Sequence, residues 1–151
     1  EFWDTTGFDG MYTLRLLVHV NAAGQARLLS HIYQGKLAAA PPDEPTGLTL
    51  QEFDFYEIHE AFAAQVLCTL KAWESPDFCR DRLGLDRPLG AIDRAKLNVK
   101  GGSLAVGHPF AATGARIVAT LAKLLAQRGT GRGLVSICTA GGMGVTAILE
   151  R

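Results

Sequence analysis

The stretch KGGSLAVGHPFAATGAR, residues 100–116, is a glycine-rich segment that carries one histidine, His108, and runs directly into a helical pattern. Further along the chain, SICTAGGMG, residues 136–144, begins as a strand, reaches Cys138 at its end, and passes into a glycine-rich turn. A histidine and a cysteine on loops beside small residues are typical of a thiol or proton-transfer site. The two stretches therefore indicate where a catalytic centre would lie.

Apolar strands and amphipathic helices alternate around these stretches. Residues 48–58 predict a short buried strand, and the helix that follows should pack one face inward, a face made of Phe62, Val66, Thr69, Leu70 and Trp73. Pro76 opens a second helix toward Leu83, ended by Gly84. This alternation predicts an α/β fold with helices on the faces of one sheet. The expected core residues are Ile58, Leu121, Val135, Ile137 and Ile148.

The C-terminal part continues the same alternation. Residues 98–109 are expected to be loop and turn, because glycines and Pro109 interrupt regular structure there. A helix should follow over residues 111–128, with Gly129 after its end. Two strands are expected at 133–138 and 145–149. The buried stripe of the helix should consist of Ile117, Val118, Leu121, Leu124 and Leu125.

The N-terminal 45 residues have a different character. The apolar run at residues 11–20 and the segment at 26–33 predict a β-hairpin, with a helix over 22–38 as the alternative. Residues 38–47, AAAPPDEPTG, break helix and strand alike and predict a linker. The sequence thus predicts an N-terminal extension over residues 1–45 and a coherent domain over 46–151.

The overall composition excludes several classes of protein. The 151 residues are 48% hydrophobic, and 15 basic side chains balance 15 acidic ones, so no global field attracts nucleic acid or an anionic membrane. Residues 1–97 are net acidic and residues 98–151 net basic, which favours either an anionic ligand or mutual neutralisation of the two parts. No apolar run is long enough to span a membrane, and a cytoplasmic location is expected.

The three cysteines do not form a disulfide or zinc pattern, since their number is odd and no C-x-x-C spacing occurs. We expect no metal site and no tightly bound cofactor. Cys68 and Cys79 lie on predicted helices and are interpreted as structural. His108 alone could merely satisfy backbone groups, and Cys138 alone could be a core residue. The phosphate-binding and dinucleotide-binding glycine motifs are absent.

Three motifs taken together are far more specific. HEAFAAQ at residues 59–65, NVKGGSLAVGHPFAATGAR at 98–116 and ICTAGGMG at 137–144 occur in that order. From about residue 46 onward, the chain resembles the C-terminal half of thiolases. It is most similar to the β-subunit branch of the fatty-acid oxidation complex, an acetyl-CoA acyltransferase, which has His in the HEAF motif and Phe after GHP.

The resemblance implies a role for each matching residue. His108 would activate the nucleophilic cysteine and line the first oxyanion hole, which His59 would complete. Cys138 would be the acid/base cysteine. The backbone N–H of Ala140, near Gly141, would lie in the second oxyanion hole, and Phe62 would line the acyl pocket. Claisen chemistry needs such a set, because it combines a thiolate nucleophile, a proton shuttle and two oxyanion sites.

The resemblance also implies what this sequence lacks. The family's nucleophilic cysteine and its CoA-binding loop domain have no counterpart in these residues. We therefore expect half of an enzyme, with a coenzyme A thioester as substrate and a thiolase N-terminal half or a homodimer partner beside it. The hydratase/dehydrogenase subunit of the oxidation complex is a further expected partner. The alternatives are a non-catalytic thiolase-like fragment or interaction module, and a small hydrolase that uses Cys138 itself.

Overall fold

The computed structural model describes residues 3–6, 13–19, 48–139 and 143–151. Five strands form one sheet: β1 (Trp3–Thr6), β2 (Thr13–His19), β3 (Phe55–Ile58), β4 (Arg132–Thr139) and β5 (Met143–Glu150). Their order across the sheet is β1-β2-β5-β4-β3. β3 and β4 are parallel and the other neighbours are antiparallel, so the sheet is mixed. The predicted α/β fold and the shared sheet of the three C-terminal strands are confirmed.

Two helices cover one face of this sheet. They are α1 (Ala63–Glu74) and α2 (Pro76–Leu83). The core on this face includes Trp73 and Cys79 from the helices, with Leu134 and Ile148 from the strands. Gly84 ends α2 in the left-handed conformation, with φ 68°, as a glycine at that position predicts. The Ser75 side chain caps the start of α2 by accepting a hydrogen bond from the Phe78 N–H.

The opposite face is covered by the long helix α4 (Thr113–Arg128), which follows a short helix, α3 (Ser103–Val106). Ile117, Leu121 and Leu125 pack against Val135 and Leu149. Leu134 and Val135 point to opposite faces because side chains alternate along a strand. A Cβ atom at Gly133 would overlap the side chain of Leu121, so the glycine permits the close approach of α4 to β4.

Four expectations need correction. Phe62 is 73% exposed because it precedes α1, while Val66, Leu70 and Trp73 are buried as expected. Ile137, expected in the core, and Val118, expected in the buried stripe of the long helix, are only partly buried. Residues 103–106 form a helical turn where loop was predicted, starting after Gly102. Cys68 is exposed and Cys79 is fully buried, and the structural interpretation of both stays a prediction.

The N-terminal strands join the same sheet. β2 lies within the predicted strand at 11–20 and pairs antiparallel with β5, for example Leu16 opposite Ala147. β1 pairs with β2, at a position where the sequence shows no clear period. The predicted return strand at 26–33, its helical alternative and the linker at 38–47 lie outside the described residues. The division at residue 45 therefore stays a prediction.

Candidate active site

The parallel pairing of β3 and β4 brings His59 and Cys138 to one end of the sheet. Ile58 lies opposite Ser136 in the register, and the His59 N–H donates to the Ser136 carbonyl oxygen at 2.8 Å. Because parallel strands have their carboxyl ends at the same edge, His59 just beyond β3 and Cys138 near the end of β4 become neighbours. Side chains at such an edge commonly form ligand sites.

Asn98 holds the HEAF segment against the glycine-rich loop, and sequence analysis did not single it out. Its amide accepts from the Ile58 N–H at 2.9 Å, and donates to the Ile58 carbonyl at 2.9 Å and to Glu60 Oε1 at 2.8 Å. Its backbone has φ 46°, a left-handed conformation that asparagine tolerates better than most residues. The one available signal was an asparagine next to a turn.

Glu60 fixes the start of α3. Its Oε2 accepts from the Leu104 N–H at 3.0 Å, while Oε1 accepts from Asn98. A Cβ atom at Gly102 would overlap the Glu60 carboxylate, so a larger residue there would displace this side chain from its contacts. The glycine-rich loop is thus shaped by a carboxylate from the HEAF segment, and this contact sets where the loop leads into His108.

His59 is 3% exposed and lies between polar groups of the loop and of α4. Its Nδ1 is 2.9 Å from Ser103 Oγ. Its ring centroid is 4.4 Å from that of His108. Burial lowers the pKa of His59, and the nearby His108 and Arg116 lower it further, while Glu60 opposes them. His59 is therefore neutral at physiological pH and available for hydrogen bonding.

The Thr113 hydroxyl lies between the Pro109 carbonyl and Nδ1 of His108. Thr113 Oγ1 donates its single proton to the Pro109 carbonyl at 3.2 Å and lies 2.7 Å from His108 Nδ1. With the hydroxyl proton on the Pro109 carbonyl, Nδ1 of His108 is the donor to Thr113 Oγ1. In the neutral ring, Nε2 of His108 then carries a lone pair, which is the form that a general base requires.

Cys138 lies in a partly buried position beside the HEAF segment. Its thiol contacts Gln65 Oε1, with a sulfur-to-oxygen distance of 3.8 Å. Burial raises the pKa of the Cys138 thiol, although backbone hydrogen bonds at Cys138 and Ala61 oppose this shift. The group is therefore a protonated thiol at neutral pH, suited to donate a proton rather than to act as a standing thiolate.

His59, His108 and Cys138 all line one cleft of about 760 Å³. The three side chains therefore converge on one site, while their catalytic roles stay predictions. The floor of the cleft is apolar and formed by Val118, Val135, Ile137, Val145 and Ala147. A cavity of this size, mostly apolar with a few convergent polar groups, has the character of a small-molecule site.

An aromatic ring other than the expected one borders this cleft. Phe110 is 86% exposed, lines the cleft, and lies 5.0 Å from the His108 ring, centroid to centroid. Phe62, the residue expected to line the acyl pocket, is not among the lining residues of the cleft. Ala111, beside Phe110, has a left-handed φ of 65°. Ala140 and Gly141, the expected oxyanion-hole residues, lie outside the described residues.

Other features of the described part bear on ligands and partners. Within residues 48–139 and the other described ranges, no group of three or more His, Cys, Asp or Glu side chains could hold a metal ion. None of the helices described is long and apolar enough to cross a membrane. The basic C-terminal part is neutralised in one place by the acidic part, since Arg128 and Asp54 form a 2.8 Å ion pair.

The chain is similar to known proteins in both sequence and structure. It is 50% identical over 107 residues to a 3-ketoacyl-CoA thiolase of Aeromonas salmonicida, covering 71% of this chain and 24% of that protein. It is 47% identical over 123 residues to one from Pectobacterium atrosepticum, covering 82% and 27%. The chain therefore spans about a quarter of the curated relatives that it matches.

Solved structures agree with this similarity. The acetyl-CoA acetyltransferase of Syntrophomonas wolfei superposes with a TM-score of 0.64 at 26% identity, covering 93% of this chain and 32% of that one. The dimeric peroxisomal thiolase of Saccharomyces cerevisiae gives 0.62 at 31% identity, covering 93% and 30%. The family described as "Thiolase, C-terminal domain" matches residues 17–151, which extends upstream of residue 46 into the segment that the motifs left unmatched. The chain belongs to the thiolase family and corresponds to its C-terminal domain.

Proposed function

We propose that this chain supplies the proton-transfer half of a thiolase-type acyltransferase site, which cleaves 3-ketoacyl-CoA with CoA or forms it from acetyl-CoA in fatty-acid β-oxidation. The observation that carries the proposal is the convergence of His59, His108 and Cys138 on one cleft. Similarity to 3-ketoacyl-CoA thiolases supports the reaction class. A cytoplasmic location, a homodimer partner and the hydratase/dehydrogenase subunit as a further partner belong to the same proposal.

In the proposed thiolysis, a thiolase N-terminal half contributes the nucleophilic cysteine, and Nε2 of His108 takes the proton from its thiol. The thiolate attacks the 3-keto carbon, the C2–C3 bond breaks, and the acyl group stays on sulfur. The electron pair left on C2, as the enolate of acetyl-CoA, takes a proton from the Cys138 thiol. His59 and protonated His108 stabilise the enolate oxygen.

The second half of the reaction restores each group. The Cys138 thiolate takes the proton of an incoming CoA thiol, whose sulfur attacks the acyl thioester. The nucleophilic cysteine leaves as a thiolate and regains its proton from His108, so both shuttles return to their starting states. The apolar cleft floor and Phe110 are suited to contact the acyl chain. The backbone N–H of Ala140, near Gly141, is assigned to the second oxyanion hole.

A hydrolase that uses Cys138 as nucleophile is less well supported. Among the described residues, the side-chain partner of the Cys138 thiol is Gln65 and not a histidine. Burial also keeps the Cys138 thiol protonated, as its raised pKa indicates. A nucleophilic cysteine needs the opposite arrangement, with a base in contact and a lowered pKa.

The test is a thiolysis assay that follows loss of the 3-ketoacyl-CoA enolate absorbance. The purified chain alone should be inactive, and adding a thiolase N-terminal half in trans should give turnover. Cys138→Ser should lower that turnover by a factor on the order of 10² or more, whereas Cys68→Ser, which changes an exposed cysteine elsewhere, should not.

Other results would contradict the proposal in distinct ways. Turnover by the chain alone, lost in Cys138→Ser, would show a complete site and favour Cys138 as nucleophile. If the N-terminal half binds and its cysteine becomes acylated, but Cys138→Ser has no effect, Cys138 is not the proton shuttle. Binding without any acylation would favour the alternative of a non-catalytic interaction module.

A further inference from the structure

The hydroxyl group of Ser103 links His59 to the guanidinium group of Arg116. Ser103 is 6% exposed and lies at the start of α3. Its Oγ is 2.9 Å from Nδ1 of His59 and accepts a hydrogen bond from Nη2 of Arg116 at 3.0 Å. The three side chains come from three separate segments of the chain, so the arrangement exists only in the folded protein.

Counting protons assigns a direction to these hydrogen bonds. Arg116 has only donors, so it can only donate to Ser103. The hydroxyl proton of Ser103 then needs an acceptor, because a buried O–H without a partner is costly. Among the described residues, Nδ1 of His59 is the one acceptor in contact with that hydroxyl. Ser103 therefore donates to Nδ1, which must carry a lone pair.

We propose that Ser103 and Arg116 are positioning residues that fix the tautomer of His59, so that its ring proton is on Nε2 and is available to a ligand in the cleft. Nδ1 is occupied by Ser103, whereas Nε2 makes no hydrogen bond within the described residues. This inference rests on the proposed function, since it gives His59 the donor that an oxyanion hole needs. It assigns the two residues a role that the motifs did not indicate.

The charged groups around His59 are consistent with a neutral ring. Arg116 and His108 lie close enough to disfavour a charged imidazole, and Glu60 opposes them. The Arg116 guanidinium strengthens the arrangement in a second way, because a charged donor polarises the Ser103 hydroxyl and makes it a better donor in turn. The hydrogen bonds from Arg116 to Ser103 and from Ser103 to His59 thus fix both the position of the ring and the nitrogen that carries its proton.

The test is nitrogen-15 NMR of the histidine side chains in the full chain, without substrate, at a pH above the pKa of His59. The shifts of Nδ1 and Nε2 distinguish the two neutral tautomers and report a hydrogen bond accepted by Nδ1. We expect the Nε2–H form alone, with Nδ1 shifted as a bonded acceptor. Ser103→Ala should move Nδ1 toward the unbonded value and introduce the other tautomer, while Ser103→Thr should restore the original signals.

Control variants separate this effect from a general loss of structure. Ser75→Ala removes a hydroxyl from the start of α2, away from the cleft, and should leave the His59 signals unchanged. Arg116→Met should weaken the Nδ1 hydrogen bond. If Ser103→Ala does not fold, as backbone amide spectra would reveal, Ser103→Cys supplies a weaker donor and should give an intermediate Nδ1 shift.

Two results would overturn the inference. One is a wild-type His59 that carries its proton on Nδ1. The other is an unchanged Nδ1 shift in folded Ser103→Ala or Ser103→Cys. An unchanged shift in Arg116→Met would remove Arg116 from the role. Because no substrate or nucleophile is present, these outcomes do not depend on turnover, and failure of the thiolysis assay would remain a separate result.

Discussion

The imidazole rings of His59 and His108 lie 4.4 Å apart, centroid to centroid, at an interplanar angle of 47°. At this distance, protonation of one ring disfavours protonation of the other. Burial is the largest cause of the lowered pKa of His59, and the interaction with His108 is the second. The pair is therefore coupled before any substrate arrives.

His108→Asn should raise the pKa of His59, because it removes the interaction with the neighbouring imidazole that lowers this pKa. The pKa should stay below the usual value near 6.5, since burial remains. An NMR titration of the His59 ring measures this. Phe110→Leu, which replaces the other ring in contact with His108, is the control and should have no effect. A His59 pKa that is unchanged in His108→Asn would show that the rings are not coupled.

The three cysteines should react with iodoacetamide in the order Cys68, Cys138, Cys79 at pH 7. Cys68 is exposed, Cys138 is partly buried with a raised pKa, and Cys79 is fully buried. Because the thiolate is the reactive form, raising the pH should accelerate labelling of Cys138. Peptide mapping by mass spectrometry follows each site. Faster labelling of Cys138 than of Cys68 at pH 7 would indicate an activated thiol and contradict the proposed resting state.

Asn98→Ala should lower the free energy of unfolding by about 2–4 kcal/mol, because it leaves buried backbone groups of Ile58 without partners. Asn98→Gly should cost about 1 kcal/mol less, since glycine adopts the left-handed backbone of residue 98 without strain. Urea denaturation measures both variants. Equal losses in the two variants would show that backbone strain at residue 98 does not contribute. A loss below about 0.5 kcal/mol in Asn98→Ala would contradict the anchoring role.

Gly133→Ala should destabilise the protein by about 1–3 kcal/mol, because the added methyl group overlaps the fully buried side chain of Leu121. Gly114→Ala is the matched control. Its Cβ would lie 3.8 Å from Ile137 Cδ1, an ordinary contact, and alanine favours the helix by up to about 1 kcal/mol. In thermal unfolding, Gly133→Ala should therefore lower the melting temperature and Gly114→Ala should raise it. Similar losses in both would show that the α4–β4 contact is not tight.

Glu57→Gln should reduce the pH dependence of stability. Glu57 is 1% exposed, and burial raises its pKa to about 7, with Arg116 opposing the shift and Glu60 adding to it. Because the folded-state pKa lies above the unfolded value of 4.5, the folded state binds more protons, and stability falls as the pH rises from 4.5 to about 7.

Removing this ionisation should leave Glu57→Gln more stable than the wild type at pH 8, by on the order of 1–2 kcal/mol. At pH 4 the advantage of Glu57→Gln over the wild type should be smaller. Urea denaturation at both pH values tests this. Glu52→Gln, at an exposed position where the carboxyl pKa is lowered, is the control and should show the opposite trend. A wild type whose stability rises from pH 5 to pH 7 while Glu57→Gln is flat would contradict the assignment.

The local sequence alone indicated most of the described elements and the residues of the candidate site. Pro76 and Gly84 bound α2 because a proline fits the first turn of a helix and a glycine adopts the left-handed conformation after its last turn. The apolar pattern predicted β4, β5 and α4, since periodicity is also a property of residues that are close together in sequence. The motifs around His59, His108 and Cys138 indicated the thiolase family, which the comparisons confirmed.

Only the tertiary structure decided which side chains serve the cleft. Phe62 and Phe110 each belong to a motif that contains a candidate histidine, so the sequence does not show which of them lines the cleft. Phe110 lines it because it follows His108, after the loop that is held by Glu60 and Asn98. Asn98 contacts a residue 40 positions away, and Ser103 contacts one 44 positions away. Such contacts depend on the parallel register of β3 and β4 and on the packing of α4, and sequence periodicity contains neither.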